Sequence, residues 1–338
     1  MSGRSKPVLV TGGCGFVGRN LVRRLLSDGV DVLVLDDLSI GERPEEWLTG
    51  EYKRSGTNAG FVRYGNGKAN LFFKKLDVLD IQKAKLPRLS DVYHLASIVG
   101  GRELIEGNPI LVAKDLAIDS IFFNWVCVNK GRIERVLYAS SSAAYPVHLQ
   151  GERGAVALKE SDVSFDADMG LPDMTYGWSK LTGEYLSRFA AKKYGVHIAC
   201  VRPFSGYGED QDLSYPVPAI ASRVVKRENP LTVWGTGRQG RDFVHVDDCI
   251  EAFFVVLDNV SDGSGVNIGS GRPVSFLEVI EMMTEIEGYK PRIKKLLDKP
   301  VGVSKRYANI SLISSYGWEQ KVALEYGLER VLNYRKTL

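Results

Sequence analysis

The stretch Val8-Leu9-Val10-Thr11-Gly12-Gly13-Cys14-Gly15-Phe16-Val17-Gly18 decides the fold. Its apolar opening reads as a buried strand, the glycines break that strand, and Asn20-Leu21-Val22-Arg23-Arg24-Leu25-Leu26 continues with apolar residues at helical spacing. Strand, tight turn and helix in this order make a cradle for a pyrophosphate. Gly12, Gly15 and Gly18 let the backbone turn, approach the anion and pack the helix on the sheet, while the helix N-terminus points at the negative charge. The glycines are spaced three and three, not in the two-then-three spacing of the dinucleotide fingerprint. A second apolar run, Val32-Leu33-Val34-Leu35, ends in Asp36 and Asp37 roughly 20 residues after the loop, where an acid can accept ribose hydroxyls. Two carboxylates there repel a 2′-phosphate and favour NAD over NADP; Arg43 is near enough to soften that preference.

Working outward, strands and helices alternate along the first two thirds of the chain. Residues 51–70 read as a polar, variable connection. Phe73-Lys74-Lys75-Leu76-Asp77-Val78 is expected as a third strand ending at an acid, Val92-Tyr93-His94-Leu95-Ala96 as a fourth, and Val136-Leu137-Tyr138-Ala139 as a fifth that runs into Ser140-Ser141-Ser142. One long helix is predicted over 111–129, another around Tyr176, and a sixth strand over 197–202. Regular alternation with right-handed crossovers gives an α/β fold, a doubly wound parallel sheet of the Rossmann kind, with ligands at the carboxyl ends of the strands. The rhythm breaks after Tyr207 with Pro216, Pro218, Pro230 and Gly235-Thr236-Gly237. The expected division is therefore a dinucleotide-binding domain over 1–205 plus 241–269, and a smaller, discontinuous substrate lobe over 206–240 plus 270–338.

Composition narrows the function classes. A chain of 338 residues with 44% hydrophobic and 25% charged residues can bury a sizeable core. Its net charge of +3 is small for that size, and no basic stripe is interleaved with aromatics, so neither nucleic acid nor an acidic membrane is implied as a partner. Cys14, Cys127, Cys200 and Cys249 lack paired metal spacing and read as thiols of a reducing compartment. Met1-Ser2-Gly3-Arg4-Ser5-Lys6 runs directly into the first strand without room for a signal peptide, and no apolar stretch is long enough to span a bilayer; a cytoplasmic location is expected.

The chemistry centres on Tyr176-Gly177-Trp178-Ser179-Lys180. Spacing of four on a helix puts phenol and ammonium on one face, where the lysine lowers the phenol's pKa. Bringing a phenol from its ordinary value to near neutrality takes roughly 3 units, about 4 kcal/mol, within reach of one lysine plus a cationic nicotinamide ring.

Six segments in order resemble the extended short-chain dehydrogenase/reductases, in their NAD-dependent nucleotide-sugar epimerase/dehydratase branch. They are Thr11 to Gly18, His94-Leu95-Ala96-Ser97, Ser140 to Pro146, Tyr176 to Lys180, Arg202-Pro203-Phe204-Ser205-Gly206-Tyr207-Gly208, and Arg241-Asp242-Phe243-Val244-His245-Val246-Asp247-Asp248, together covering essentially the whole chain. The resemblance implies Tyr176 as the base at a sugar hydroxyl, Lys180 as its electrostatic support and holder of the nicotinamide ribose, and Ser141 as hydrogen-bond partner of the same hydroxyl. It implies NAD contacts from Gly12, Gly15, Phe16, Val17, Asp36, Asp37, Asp77, Val78, Leu95, Ala96, Ser97, Pro203 and Ser205, with Asp77 and Val78 facing the adenine. It implies substrate contacts from Gly100, Gly101, Ser141, Ser142 and Ser205, and diphosphate contacts from Arg241 and Arg306, whose planar forks suit phosphate oxygens. A nucleotide-diphosphate sugar, GDP- or UDP-linked, is the implied substrate, a homodimer the implied assembly, and no metal is implied.

Departures from the family pattern narrow the reaction. Sugar 4,6-dehydratases place an acid pair where Ser142-Ala143 stands here. Residues 97–101 and 306–313 look most like GDP-mannose 3,5-epimerase, but Ala143 replaces its cysteine and no lysine stands near Gln211. Many relatives carry Asn in place of Ser205. The redox core that remains suits a 4-epimerase; a 4-dehydrogenase that releases the keto sugar needs the same groups, and a non-catalytic NAD-binding protein is a more distant alternative.

Overall fold

The structure, a computed structural model, describes residues 6–338, with the side chain of Asn58 left aside. Residues 1–5, and with them the reading of the N-terminus, lie outside the described residues.

The opening stretch folds as β1 (Val8–Thr11), fully buried, followed by α1 (Phe16–Ser27). Next come β2 (Val32–Asp36), a single turn α2 (Pro44–Trp47), β3 (Lys53–Asn58), β4 (Phe61–Gly65), β5 (Asn70–Lys75) and β6 (Leu89–His94). The helical layer then receives α3 (Arg102–Gly107), α4 (Pro109–Val112) and α5 (Asp115–Val128), before β7 (Ile133–Ala139), α6 (Met174–Tyr194) and β8 (Ile198–Pro203). The last third contains β9 (Ser205–Tyr207), α7 (Pro216–Val225), β10 (Leu231–Trp234), β11 (Gly240–His245), α8 (Val246–Asn259), β12 (Asp262–Ile268), β13 (Pro273–Ser275), α9 (Phe276–Ile286), β14 (Ile293–Leu296), β15 (Lys305–Arg306), α10 (Ser311–Ser315) and α11 (Leu324–Lys336).

Nine strands form the main sheet in the order β12-β8-β7-β6-β1-β2-β5-β4-β3. From β12 to β5 every pairing is parallel, as expected of a doubly wound sheet, and only the β5-β4-β3 edge is antiparallel. Apolar layers cover both faces. One joins α1 and α8 through Leu21, Leu25, Phe253 and Val256, and the other joins α5 and α6 through Phe122, Val126 and Ala190.

Four local expectations are corrected. The 51–70 connection is a hairpin: Ala59 and Gly60 both take positive φ, 50° and 80°, and this two-residue turn lets β3 pair with β4 and extend the sheet. The third strand spans 70–75, because Asp77 turns the chain by accepting the Leu79 N–H and starting a short 3-10 helix. The long helix over 111–129 is two, α4 and α5, separated at Ala113-Lys114. Finally, β11 does not rejoin the main sheet at Arg241. It is the centre of a small sheet with β13, β15 and β9, and the return to the main body starts with α8. Buried Asp242 holds this small sheet together by accepting N–H groups of Ser270, Gly271 and Ala308. A third apolar cluster, including Val217, Ile220, Val279 and Leu328, fills the space between α7, α9 and α11. Part of the C-terminal segment packs instead on the main core through Ile313 and Trp318.

Candidate active site

The carboxyl ends of β1, β6, β7 and β8 converge, as a parallel sheet requires. At β1 the glycine turn is built by contact. Gly12 has φ +69°, and a Cβ on it would lie 2.7 Å from the Ala96 backbone nitrogen; one on Gly18 would lie 2.1 Å from the Gly12 carbonyl oxygen. Gly15, the N-cap of α1, has room for a Cβ, whose nearest neighbour would be 3.5 Å away. Among the described residues no side chain caps this helix, and its first turn holds no acid. The helix therefore offers orphan N–H groups and the positive end of its dipole toward an open space, which fits a pyrophosphate.

Asp36 is buried and works first for the chain itself, accepting Cys14 N–H at 2.9 Å and Leu38 N–H at 2.8 Å. Burial pushes its carboxyl above the usual range, and the two N–H groups pull against that. Each oxygen accepts one N–H and has further lone-pair capacity, so a ribose contact would add to a structural role. Asp37 accepts the Ser39 N–H. Asp77 pairs with Lys114 at 3.2 Å, and the Val78 side chain is buried in the core, so only its backbone can line a ligand site. Leu95 and Ala96 follow β6 beside the glycine turn, with Leu95 N–H donating to the Thr11 carbonyl. Ser97 donates to Asp115 at 2.6 Å, and the adjacent Ile98 N–H donates to the other oxygen of the same carboxylate at 2.6 Å. Pro203 ends β8, and Ser205 pairs with Phe243 in the small sheet.

Ser141, Tyr176 and Lys180 meet where β7 ends against α6. The Ser141 hydroxyl oxygen accepts the Ala143 N–H at 3.1 Å, and the hydroxyl lies near enough to the Tyr176 phenol to favour its ionised form. Lys180 is buried and donates to the Ala139 carbonyl at 3.1 Å, with its ammonium 5.8 Å from the Tyr176 ring centroid. The phenol's pKa is raised: burial outweighs the opposing pulls of Lys180 and Ser141. Lys180 does pull the phenol down, as the spacing predicts, but burial is the larger effect. Burial would likewise lower the Lys180 pKa, but Tyr176, Asp119 and Asp115 reverse it and keep the ammonium charged.

Asp115 and Asp119, one turn apart on α5, were not singled out from the sequence. Asp119 accepts the Tyr138 hydroxyl at 2.6 Å and faces His94 Nε2 at 3.2 Å, while His94 Nδ1 meets Thr11 at 2.7 Å and its ring stacks on Phe122. A second buried network ties Ser140 to Glu184, Glu184 to Arg202, Arg202 to Tyr145, and Tyr145 to Asn267. The signal for both was present as acids in apolar helical stretches, but their partners are far away in sequence.

Facing this cluster, Arg241 and Arg306 are register neighbours in β11 and β15. Arg241 donates to the Gly240 and Val301 carbonyls, and no carboxylate pairs with it among the described residues. Burial, then the charges of Arg306 and Arg102, push its pKa well below the usual guanidinium value, the mark of a cation short of anionic partners. Arg306 pairs with Asp173 at 2.8 Å and also reaches Gln150. Ser142 is buried in a short 3-10 turn, Gly100 packs on Leu104, and a Cβ on Gly101 would lie 2.1 Å from the Ser214 carbonyl, so Gly101 marks a close backbone approach. Ala143 and Gln211 are buried, and Gln211 donates to the Gly206 carbonyl.

The model of the NAD-dependent epimerase/dehydratase family matches residues 8–269. The chain belongs to that family. A provisionally assigned UDP-glucose 4-epimerase of Methanocaldococcus jannaschii is 29% identical, covering 97% of this chain and 98% of its own. A solved UDP-glucose 4-epimerase with UDP-glucose from Thermotoga maritima is 26% identical, with a TM-score of 0.79 over 98% of this chain and 99% of that one. The UDP-glucuronic acid 4-epimerase of Bacillus cereus, solved with UDP-glucuronic acid and NAD, is 25% identical, with a TM-score of 0.77 and coverage of 98% and 99%. Members of this epimerase/dehydratase family are NAD-dependent, and the glycine turn with the bare α1 N-terminus is the part of this chain that fits the dinucleotide. Among the described residues no helix is long and apolar enough to cross a membrane, and no cluster of His, Cys, Asp and Glu is arranged to hold a metal.

Proposed function

We propose that this protein is a nucleotide-sugar 4-epimerase acting by transient oxidation at C4 of an NDP-hexose. The observation that carries the reading is the meeting of Ser141, Tyr176 and Lys180 at the end of β7. Bound NAD supplies reversible hydride acceptance. Ser141 and Lys180 stabilise Tyr176 as the phenolate, which takes the proton of the sugar 4-hydroxyl and becomes the neutral phenol. The 4-keto sugar then presents its other face before Tyr176 returns the proton. Buried Ala143, where an acid or a cysteine would be needed, supports redox chemistry over elimination or C3/C5 epimerisation. Arg241, left without an anionic partner, and Arg306 would bind the diphosphate of a UDP- or GDP-linked substrate. We further infer a cytoplasmic homodimer, supported by the four free thiols and by exposed Leu116, Val128, Tyr185 and Phe189 on the outer sides of α5 and α6.

The test is incubation with UDP-, GDP- and dTDP-hexoses and NAD, following C4 configuration and reduced nicotinamide. Inverted sugar with only transient reduction of the cofactor is expected. Stoichiometric NADH without inverted sugar would replace the epimerase by a 4-dehydrogenase, and full activity in Tyr176→Phe would remove the base from the scheme.

A further inference from the structure

Arg102 lies outside the residues that sequence and family point to, and its guanidinium bridges two carboxylates. Its Nη1 is 2.9 Å from both oxygens of Asp173, and its Nε pairs with Glu106 on the next turn of α3. The second cation on Asp173 is Arg306 at 2.8 Å. Asp173 is buried; burial acts to raise its pKa, but Arg306 and Arg102 together hold it below the usual carboxylate range, so it is charged. Two arginines thus share Asp173, and Arg241 beside them pairs with no carboxylate among the described residues. Three arginines against the carboxylates of Asp173 and Glu106 leave one positive charge in excess at the junction, which favours an incoming phosphate.

Asp173 is also the N-cap residue of α6, the helix of Tyr176 and Lys180. Its N–H donates to the Ala143 carbonyl at 2.9 Å, and Ala143 N–H donates to Ser141, so one residue ties the helix head to the serine end of β7. Between Asp173 and Tyr176 the backbone is strained, with Met174 at φ +56° in a region that L side chains with a Cβ rarely adopt. The Met174 sulfur accepts from Arg102 Nη2 at 3.7 Å, so the arginine grips both sides of the strained bond.

Resting on the C4 redox reading of this site, we propose that Arg102 and Asp173 are positioning residues: the Arg102–Asp173–Arg306 junction couples seating of the substrate diphosphate to placement of Tyr176 beside Ser141. The diphosphate meets Arg241 and Arg306, Arg306 is shared with Asp173, and Asp173 sets the first turn of the catalytic helix. Asp173 also competes with the incoming phosphates for Arg306.

Two measurements on the full-length, NAD-loaded protein test this. In binding of UDP and GDP alone, Asp173→Asn is expected to tighten affinity about five-fold, since it removes one negative charge next to the phosphates. In hydride transfer at saturating nucleotide sugar, Asp173→Asn and Arg102→Gln are expected to slow the step by about ten- to a hundred-fold, the scale set by ångström misplacement of a reacting group. Arg102→Lys should recover part of that rate, and the loss should fall on kcat and not on KM. Unchanged hydride transfer in Arg102→Gln, or losses confined to KM, would overturn the positioning role. Diphosphate binding weakened or unaltered by Asp173→Asn would overturn the competition for Arg306. If the wild type reduces no cofactor with any nucleotide sugar, the C4 reading fails, while the binding measurement still decides whether Asp173 competes for the junction.

Discussion

Replacing Ser141 by Ala tests how this site makes a phenol basic. Burial raises the Tyr176 pKa, and two groups oppose it, Lys180 and the Ser141 hydroxyl. The substitution removes a donor to a charged oxygen, a contact worth about 1.5–3 kcal/mol, or about one to two pKa units. The base acts deprotonated, so the rate rises with pH up to its pKa. Losing a group that lowers that pKa must shift the rising limb to higher pH. Below the limb the variant is therefore expected to be about ten- to a hundred-fold slower, with much of the loss recovered at alkaline pH. The same change also frees the Ala143 N–H that Ser141 caps, costing about 1 kcal/mol of local stability; Ser141→Thr keeps both contacts and is the control. The assay is the pH profile of hydride transfer, read as nicotinamide absorbance in single turnover. A slower variant whose limb stays in place would refute this account and leave Ser141 as a contact to the substrate alone.

Further outcomes follow from the same geometry. Gly18→Ala should destabilise the protein by roughly 3 kcal/mol, the upper end for overpacking, because its Cβ meets Gly12 backbone that cannot yield, whereas Gly15→Ala should leave thermal unfolding unchanged while weakening NAD binding at least about ten-fold; calorimetry and cofactor titration separate the two. Arg202→Met leaves the Glu184 carboxylate buried without its cation and should cost about 3–5 kcal/mol in denaturant unfolding. Tyr138→Phe takes one donor from buried Asp119 and should cost about 1–3 kcal/mol, also read by denaturant unfolding. Burial raises the pKa of all four cysteine thiols, so in the native protein only Cys127, the one not fully buried, should react with a thiol reagent, and slowly; unfolding should release the other three.

The parallel core was legible because buried parallel strands are continuous apolar runs, and β1, β2, β6, β7 and β8 each carry one. The β3–β4 hairpin was not, because it is a polar edge whose pairing depends on two positive-φ residues in its turn. Likewise the smaller sheet is made of strands as short as two residues, too short for any periodicity, and Arg241 and Arg306 become neighbours only through that sheet's register. Tyr176 and Lys180 could be read as a pair since they are one helical turn apart, whereas Ser141, just past the end of β7, was reached only through the family resemblance.

What the sequence by itself determined is therefore what local spacing encodes: the glycine turn, the acids at the end of β2, and the phenol and ammonium on one helix face. Only the tertiary structure decided how those groups are charged and held. Burial, which no window of sequence reports, turned the Tyr176 pKa upward against its lysine, and Asp36 proved to be engaged by the backbone of Cys14 and Leu38. The junction of Arg102, Asp173 and Arg306 joins residues 71 and 133 positions apart, a distance over which only the closed fold can bring two charges into contact.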